Sequence, residues 1–470
     1  MSRDTNSLRF KSALLFAKGM NSVINMVSSG RGSNLSGEKA LLIDPEMVAH
    51  FKNVDPKKVI FITGTNGKSS STNLVTHILR YNGKNVVSNL EGANLLAGLA
   101  TSLAKESDMN GRLDADYFVF ETDERYLPLI YAQLPAANVM IMNLQKDQVQ
   151  RNGDPAFIME KVASVMKPEV RLFLNNDEPR SKSFEKYSEN TVYFGTEQNR
   201  ESFMKDETYP TEACPVCDHK VDFDYYNTDG IGRFPCSNCG FSSCPEATYT
   251  VSDIDYNSRK FKLNGVEGEM PYDLPFMLYN YAGAAALCAE VAGLTEEQIL
   301  AALPSFQNIG GRFETFDYHG KTVKYMRIKQ ENPDTLQNAI NVIAGDPEKK
   351  MVCLGLYPIH DFTPGYTNTF YTFDCDWSRL ADSDVERYYC FSPAVCYDTA
   401  NRLIYEDVPA EKITVEETDD IDQIFAQIDQ AETDDIYLIT WLDTFNKMKK
   451  FVEAEQKNQQ GTEKAEGAQA

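Results

Sequence analysis

The sequence predicts an α/β protein built on parallel-rich sheets. Short apolar runs that end in polar or acidic residues recur along the chain, helical stretches separate them, and one run feeds a glycine-punctuated turn and then a helix. The runs fall at 59–62, 86–88, 117–120, 139–142 and 170–174, and again at 322–328, 351–356, 387–391 and 436–440. At 470 residues the length suggests about three domains, and 42% apolar with 11% aromatic residues is the composition of a folded globular chain. A net charge of −23 disfavours sequence-independent binding to nucleic acid or anionic lipid, and no nucleic-acid partner is expected. Four of the ten cysteines form two CxxC pairs, which fits a reducing, cytoplasmic compartment.

Residues 1–45 read as a helix followed by a Ser/Gly-rich loop. Phe10, Leu14, Ala17, Val23, Ile24 and Val27 fall at helical spacing, as expected for a helix packed on the body of the protein. Peripheral placement at the inner face of the membrane is the alternative. No transmembrane run is present. The apolar stretch 13–17 is cut by Lys18, which is short for a signal segment.

The run at 59–62 leads into Thr63-Gly-Thr-Asn-Gly-Lys-Ser69 and Ser70. A buried strand feeding a helix N-terminus offers backbone N–H groups and the positive end of the helix dipole to a phosphate. Gly64 and Gly67 allow close backbone approach, Lys68 can reach outer phosphates, and the Ser69 hydroxyl can ligate Mg²⁺. The spacing is shorter than G-x-x-x-x-G-K-[ST], but the strand–loop–lysine–hydroxyl–helix order is the same. In a parallel sheet ligands sit beyond the carboxyl ends of the strands, so Glu121 and Asp147 are expected on the rim that holds Lys68. Glu121 is either a Mg²⁺ ligand or a solvated acid.

Between about 197 and 270 the character changes. Cys214-Pro-Val-Cys217 and Cys236-Ser-Asn-Cys239 carry the spacing of a structural zinc ribbon, in which four thiolates close a tetrahedron and leave no place for substrate. A redox pair is the alternative. After the Ala-rich helix at 282–292, a second α/β unit begins beyond 311, with Asp334 or Thr335 as a possible N-cap. The composition beyond 451 predicts a disordered tail or a fraying helix. The domains expected are therefore 1–45, 46–311 with its insertion, 312–451, and the tail 452–470.

Thr63-Gly-Thr-Asn-Gly-Lys-Ser69 resembles the phosphate loop of the Mur ligase and folylpolyglutamate synthase superfamily. With the four-cysteine insertion, the chain is similar to the MurT family, the Mur ligase-like subunits of lipid II isoglutaminyl synthase. Glu91-Gly-Ala-Asn94, Glu121-Thr-Asp-Glu124, the segment 143–153, Tyr279-Asn280, Gly311-Arg-Phe-Glu314, Asn332-Pro333 and the segment 394–403 carry the resemblance further, over about residues 8–450. It implies a Mur ligase-type P-loop domain with an inserted zinc ribbon and a C-terminal Rossmann-like domain. It further implies ATP, Mg²⁺ and a structural Zn²⁺ as cofactors.

The implied reaction is phosphorylation of the D-glutamate α-carboxyl of lipid II, followed by displacement of phosphate by ammonia from a GatD-like glutaminase in a heterodimer. Gly64, Thr65, Asn66, Gly67, Lys68, Ser69 and Ser70 would hold the phosphates, and Ser69 and Glu121 the Mg²⁺. Asn280 would contact adenine and Arg312 the phosphates, while closure of the C-terminal domain would exclude water. The family also places an aspartate that completes the glutaminase's Cys–His pair. The matching position here is Asn368, with Asp361 aligned to an earlier family aspartate. Asparagine can orient a histidine but cannot stabilise imidazolium by charge, so either Asn368 serves, Asp361 substitutes, or the coupling is lost. The segment 329–333 also carries extra residues relative to the family's Lys-Asn-Pro. A Mur-type ligase joining an amino acid to a carboxylate, and a non-catalytic nucleotide-binding zinc scaffold, are the competing readings.

Overall fold

Two units make up the chain, one of residues 1–145, 153–204 and 211–309, the other of 146–152, 205–210 and 310–470. The computed structural model describes residues 8–27, 34–90, 94–145, 155–204, 212–228, 230–307, 313–328, 333–358 and 370–467.

Among the described residues, nine strands of the first unit form one sheet. They are β1 (Val59–Thr63), β2 (Val86–Ser88), β3 (Tyr117–Glu121), β4 (Asn138–Ile141), β5 (Arg171–Asn175) and β6 (Thr191–Thr196). After the hairpin of β7 (Tyr225–Thr228) and β8 (Ile231–Arg233), which stands apart, come β9 (Tyr249–Asp255), β10 (Lys260–Leu263) and β11 (Val266–Glu269). The order is β11-β10-β9-β6-β5-β4-β1-β3-β2. From β2 to β9 the neighbours are parallel, and β9, β10 and β11 are antiparallel.

Burial explains the division. β1 and β4 are buried on both faces, as helix-covered parallel strands must be, whereas β9 and β10 alternate buried with half-buried or exposed residues. β1 lies between β3 and β4, so the connection after β1 goes one way and that before β4 the other. The loop at its carboxyl end therefore opens at a topological switch point.

The first helix (Leu8–Val27) buries Phe10, Ala13, Leu14 and Ala17 in the core of this unit, where Phe10 meets the edge of Phe51 at 5.4 Å. Val23, grouped with that face by spacing alone, is 59% exposed.

The second unit has β12 (Phe313–Tyr318), β13 (Lys321–Met326), β14 (Lys350–Gly355), β15 (Val385–Phe391), β16 (Ile413–Glu416) and β17 (Asp435–Thr440), in the order β12-β13-β17-β14-β15-β16. Among the described strands of this unit, only the β12–β13 pair is antiparallel. Apolar clusters cover both faces, one around Trp377 and one where Tyr325 stacks on Phe445 at 3.6 Å.

Some local expectations differ. Pro333 opens the Pro333–Gly345 helix, so Asp334 and Thr335 lie inside its first turn and neither is the N-cap. The expectation beyond 451 meets a helix, Leu442–Gly467, in which Val452 is still buried.

Candidate nucleotide site and cysteine cluster

The loop after β1 is shaped by two glycines. Gly64 has φ +134° and Gly67 φ +85°, both in the region that side chains disfavour. A Cβ on Gly64 would stand 2.8 Å from the Asn143 carbonyl oxygen, and one on Gly67 would stand 2.7 Å from Asn280 Oδ1. Gly67 is the N-cap of the Lys68–Tyr81 helix, which has no side-chain cap and no acid in its first turn. A helix start of this kind, at the carboxyl end of a buried parallel strand, is suited to an anion.

Polar side chains from the loop after β4 clamp the glycine loop. The Thr65 N–H donates to the Asn143 carbonyl (2.8 Å) and the Asn66 N–H to Asn143 Oδ1 (2.8 Å), while Asn143 Nδ2 returns a bond to the Asn66 carbonyl (3.0 Å). Thr65 Oγ1 donates to the Gln145 carbonyl (3.1 Å) and accepts from the Gln145 N–H (3.0 Å). Asn66 Nδ2 reaches Gln145 Oε1 at 3.0 Å. With these bonds made, the loop conformation is set before any ligand arrives.

Lys68 is buried. Its ammonium donates to the carbonyl of Gly64, to that of Thr65 (3.3 Å) and to Glu124 Oε1 (2.8 Å). Burial pushes the Glu124 carboxyl up, against the pull of the Lys68 ammonium. Glu121, at the end of β3, pairs in register with Ile62 of β1 and accepts a bond from Asn94 Nδ2 at 3.2 Å. Ser69 is exposed at the start of the helix and Ser70 half-buried. Asn280 is buried on the Pro275–Ala292 helix and accepts from Ser71 Oγ at 3.1 Å, which sets it against the first turn of the loop helix. One rim thus gathers Gly64 to Ser70, Glu121 and Asn280.

Three residues on this rim, Glu124, Asn143 and Gln145, were given no role by sequence reasoning. Glu124 lies three places beyond Glu121 in the same acidic run, which was the available signal. Asn143 and Gln145 follow a buried strand, but their role depends on β4 lying next to β1, which the sequence does not reveal. Asp147, Arg312, Asp361 and Asn368 lie outside the described residues, as do residues 91–93.

The four cysteines of the two CxxC pairs converge. Their Sγ atoms all lie within 4.8 Å of one another, with Cys214 to Cys239 at 3.7 Å and Cys217 to Cys236 at 3.6 Å. Those separations are far beyond a disulfide bond of about 2.05 Å. They match the edge of a tetrahedron with metal–sulfur bonds of about 2.3 Å, which is about 3.8 Å.

The two turns repeat one geometry. Asp218 N–H donates to the Cys214 carbonyl and Gly240 N–H to that of Cys236, both at 2.9 Å. Asp218 (φ +58°) and Gly240 (φ +76°) adopt the left-handed conformation that closes each turn. Among the described residues, the apolar cluster beneath contains Cys214, Val221, Phe223, Tyr226, Phe234 and Cys236, with a few half-buried neighbours. Beside so small a core, the four thiols are placed where they could hold a metal ion.

A buried polar turn ties this module to the sheet. Asn176 Oδ1 accepts from the Cys244 N–H (2.8 Å), and the Asp177 carbonyl accepts from the Gly232 N–H (2.9 Å). Tyr279 OH donates to Asp177 Oδ2 (3.0 Å) and accepts from Asn227 Nδ2 (3.1 Å). Glu178 caps the next short helix through the N–H groups of Arg180 and Ser181 and accepts from the Leu144 N–H at 3.3 Å. Burial pushes the Asp177 carboxyl up to about 6 and that of Glu178 up to about 7.

Comparison with known proteins agrees with this architecture. The model of the Mur ligase middle domain matches residues 62–243, and that of the MurT ligase C-terminal domain matches 330–445. The MurT subunit of lipid II isoglutaminyl synthase from Streptococcus pneumoniae (strain ATCC BAA-255 / R6) is 26% identical over 456 residues, covering 95% of this chain and 97% of that protein. The corresponding subunit from Staphylococcus aureus (strain COL) is 25% identical over 359 residues, covering 76% and 79%. Among solved structures, a pseudomurein peptide ligase type C from Methanothermus fervidus superimposes with a TM-score of 0.63 at 19% identity, covering 87% of this chain and 81% of that one. That likeness concerns the fold alone. The chain is thus similar to the MurT subunits over nearly its whole length and to the Mur ligases in its middle domain, and these likenesses mark it as an ATP-dependent ligase of peptidoglycan synthesis.

Proposed function

We propose that the chain is the ATP-dependent synthetase subunit of a lipid II isoglutaminyl synthase. ATP bound at Gly64 to Ser70 transfers its γ-phosphoryl group to the α-carboxylate of D-glutamate in lipid II, giving an acyl-phosphate and ADP. Ammonia from a GatD-like glutaminase attacks the acyl carbon, phosphate leaves, and a proton is lost to give the amide. Lys68 and the loop N–H groups stabilise charge on the transferring phosphoryl group, the main lever open to a protein in such a step. Ser69 and Glu121 are the candidate Mg²⁺ ligands. The four cysteines are the candidate Zn²⁺ ligands, and their closed arrangement supports a role for that metal in stability rather than in chemistry.

The observation that carries this reading is the preformed loop with a buried lysine, in a chain that also matches the MurT C-terminal model. The test is reconstitution of the chain with a candidate glutaminase, lipid II, ATP and glutamine. Conversion of one lipid II carboxylate to an amide, with one ATP consumed per amide, supports the reading. ATP hydrolysis without amide would refute it.

A second reading, a Mur-type ligase joining an amino acid to a carboxylate, draws its support from Asn368, where the family's aspartate is missing. If Asn368 stands at the glutaminase's third position, Asn368→Asp preserves or raises glutaminase activity in the complex. No effect there, with a large loss from Asp361→Ala, would reassign that role.

A further inference from the structure

We propose that the outward face of the first helix (Leu8–Val27) is a docking surface for an anionic membrane. The helix is apolar on two opposite sides. Phe10, Ala13, Leu14 and Ala17 face the core and are buried. Leu8 (82% exposed), Leu15 (55%), Phe16 (43%) and Val23 (59%) remain in solvent. At about 100° per residue these four share one arc about 100° wide, with Lys11 at one edge and Arg9 at the other. Ser12 and Gly19, both exposed, fill the arc and add no charge.

Scattered surface leucines are ordinary, but four aligned on one helix beside two cations are a surface that seeks an apolar layer under an anionic one. The charge pattern selects the occupant. The helix carries Arg9, Lys11 and Lys18 and no acidic residue, in a chain of net charge −23. Lys18 turns inward to the Ser107 carbonyl, near Asp108 and Glu106, so Arg9 and Lys11 are the cations of the outer face. Arg9 Nε also donates to the Ile43 carbonyl at 3.2 Å. This sets the last turn of the Leu35–Ile43 helix, with Leu42 73% exposed, beside the start of the stripe. Glu38 on that second helix pairs with Lys39 at 3.4 Å. No described helix is long and apolar enough to cross a bilayer, so the mode is lying on the surface. The inference goes beyond the amidation reading and does not need it, although a lipid-linked substrate would be met at such a surface.

The test is flotation of the full chain with phosphatidylcholine vesicles, with and without phosphatidylglycerol, free of nucleotide and substrate. The wild type is expected to float with the anionic vesicles only, and less as salt rises. Leu8→Glu/Leu15→Glu/Val23→Glu should weaken that binding by at least about a hundredfold, with ATP·Mg²⁺ binding and thermal unfolding unchanged. The milder Lys11→Glu should weaken it by about fivefold, which keeps the test open should the triple variant fold poorly. Equal flotation with neutral vesicles, no flotation of the wild type, or unchanged flotation of both variants would overturn the proposal. So would a concentration-dependent dimer abolished by the triple variant, which would give this face to a second copy of the chain. Failure here would leave the ATP-dependent reading intact, since that reading is tested by amide formation.

Discussion

The glycine loop and the cysteine module lie in the same unit and are held in opposite ways. The loop needs no ligand to keep its shape. It rests on an interior strand of a nine-stranded sheet, third from the β2 edge, and is clamped by bonds to Asn143 and Gln145. The module has one small apolar cluster and four converging thiols, so on the proposed zinc reading its shape depends on what the thiols bind. The difference teaches where each residue type acts. At the loop, polar side chains set the backbone proposed to meet a phosphate, and at the module four thiols converge beside a small core.

Losing a cysteine should have the largest effect on stability. Cys214→Ser is expected to abolish stoichiometric zinc, measured by metal analysis as one ion per chain in the wild type. It should also lower the unfolding midpoint by about 5 °C or more. Full stability in a zinc-free protein would erase the contrast between the two regions.

At the loop the expected effect is smaller in stability and larger in binding. Asn143→Ala removes the bonds to Asn66 and should cost about 1–3 kcal/mol of stability by denaturant unfolding. Calorimetry should show weaker ATP affinity, while zinc content stays the same.

The smallest effect sits where the regions meet. The Asp177 carboxyl is raised from 3.8 to about 6 in the folded protein, so the native state binds more protons than the unfolded one between those values. Its contribution to stability is therefore fully present below pH 4 and declines as pH rises through about 6. Asp177→Asn should flatten that part of the pH dependence relative to the wild type, read as the difference in melting temperature between the two proteins from pH 4 to pH 7. An identical slope in both would show that burial of Asp177 is not carried as protonation.

Much of this was legible in the sequence for a physical reason. A strand buried on both faces must be an unbroken apolar run, and β1, β2, β3, β4 and β5 each fall at one. CxxC turns are local, so their pairing in space follows from spacing. β9 to β11 were missed because half-exposed strands such as Tyr249–Asp255 carry Ser and Asp among their apolar residues. The partners of Lys68 were missed because an ion pair across 56 residues depends on the strand order, not on any local pattern. The first helix was read as one apolar face, and the structure divides it into a buried side with Phe10 and an exposed one with Val23.

The central claim, that the loop around Lys68 binds and activates ATP, is tested most directly by calorimetric titration of ATP·Mg²⁺ into the wild type and Lys68→Ala, with thermal unfolding of both. The expected result is saturable binding to the wild type, binding weaker by about a hundredfold or more in the variant, and cooperative unfolding of both, at a lower midpoint in the variant, whose Glu124 has lost its cation. Equal affinity in the two proteins would contradict the claim and move the nucleotide elsewhere.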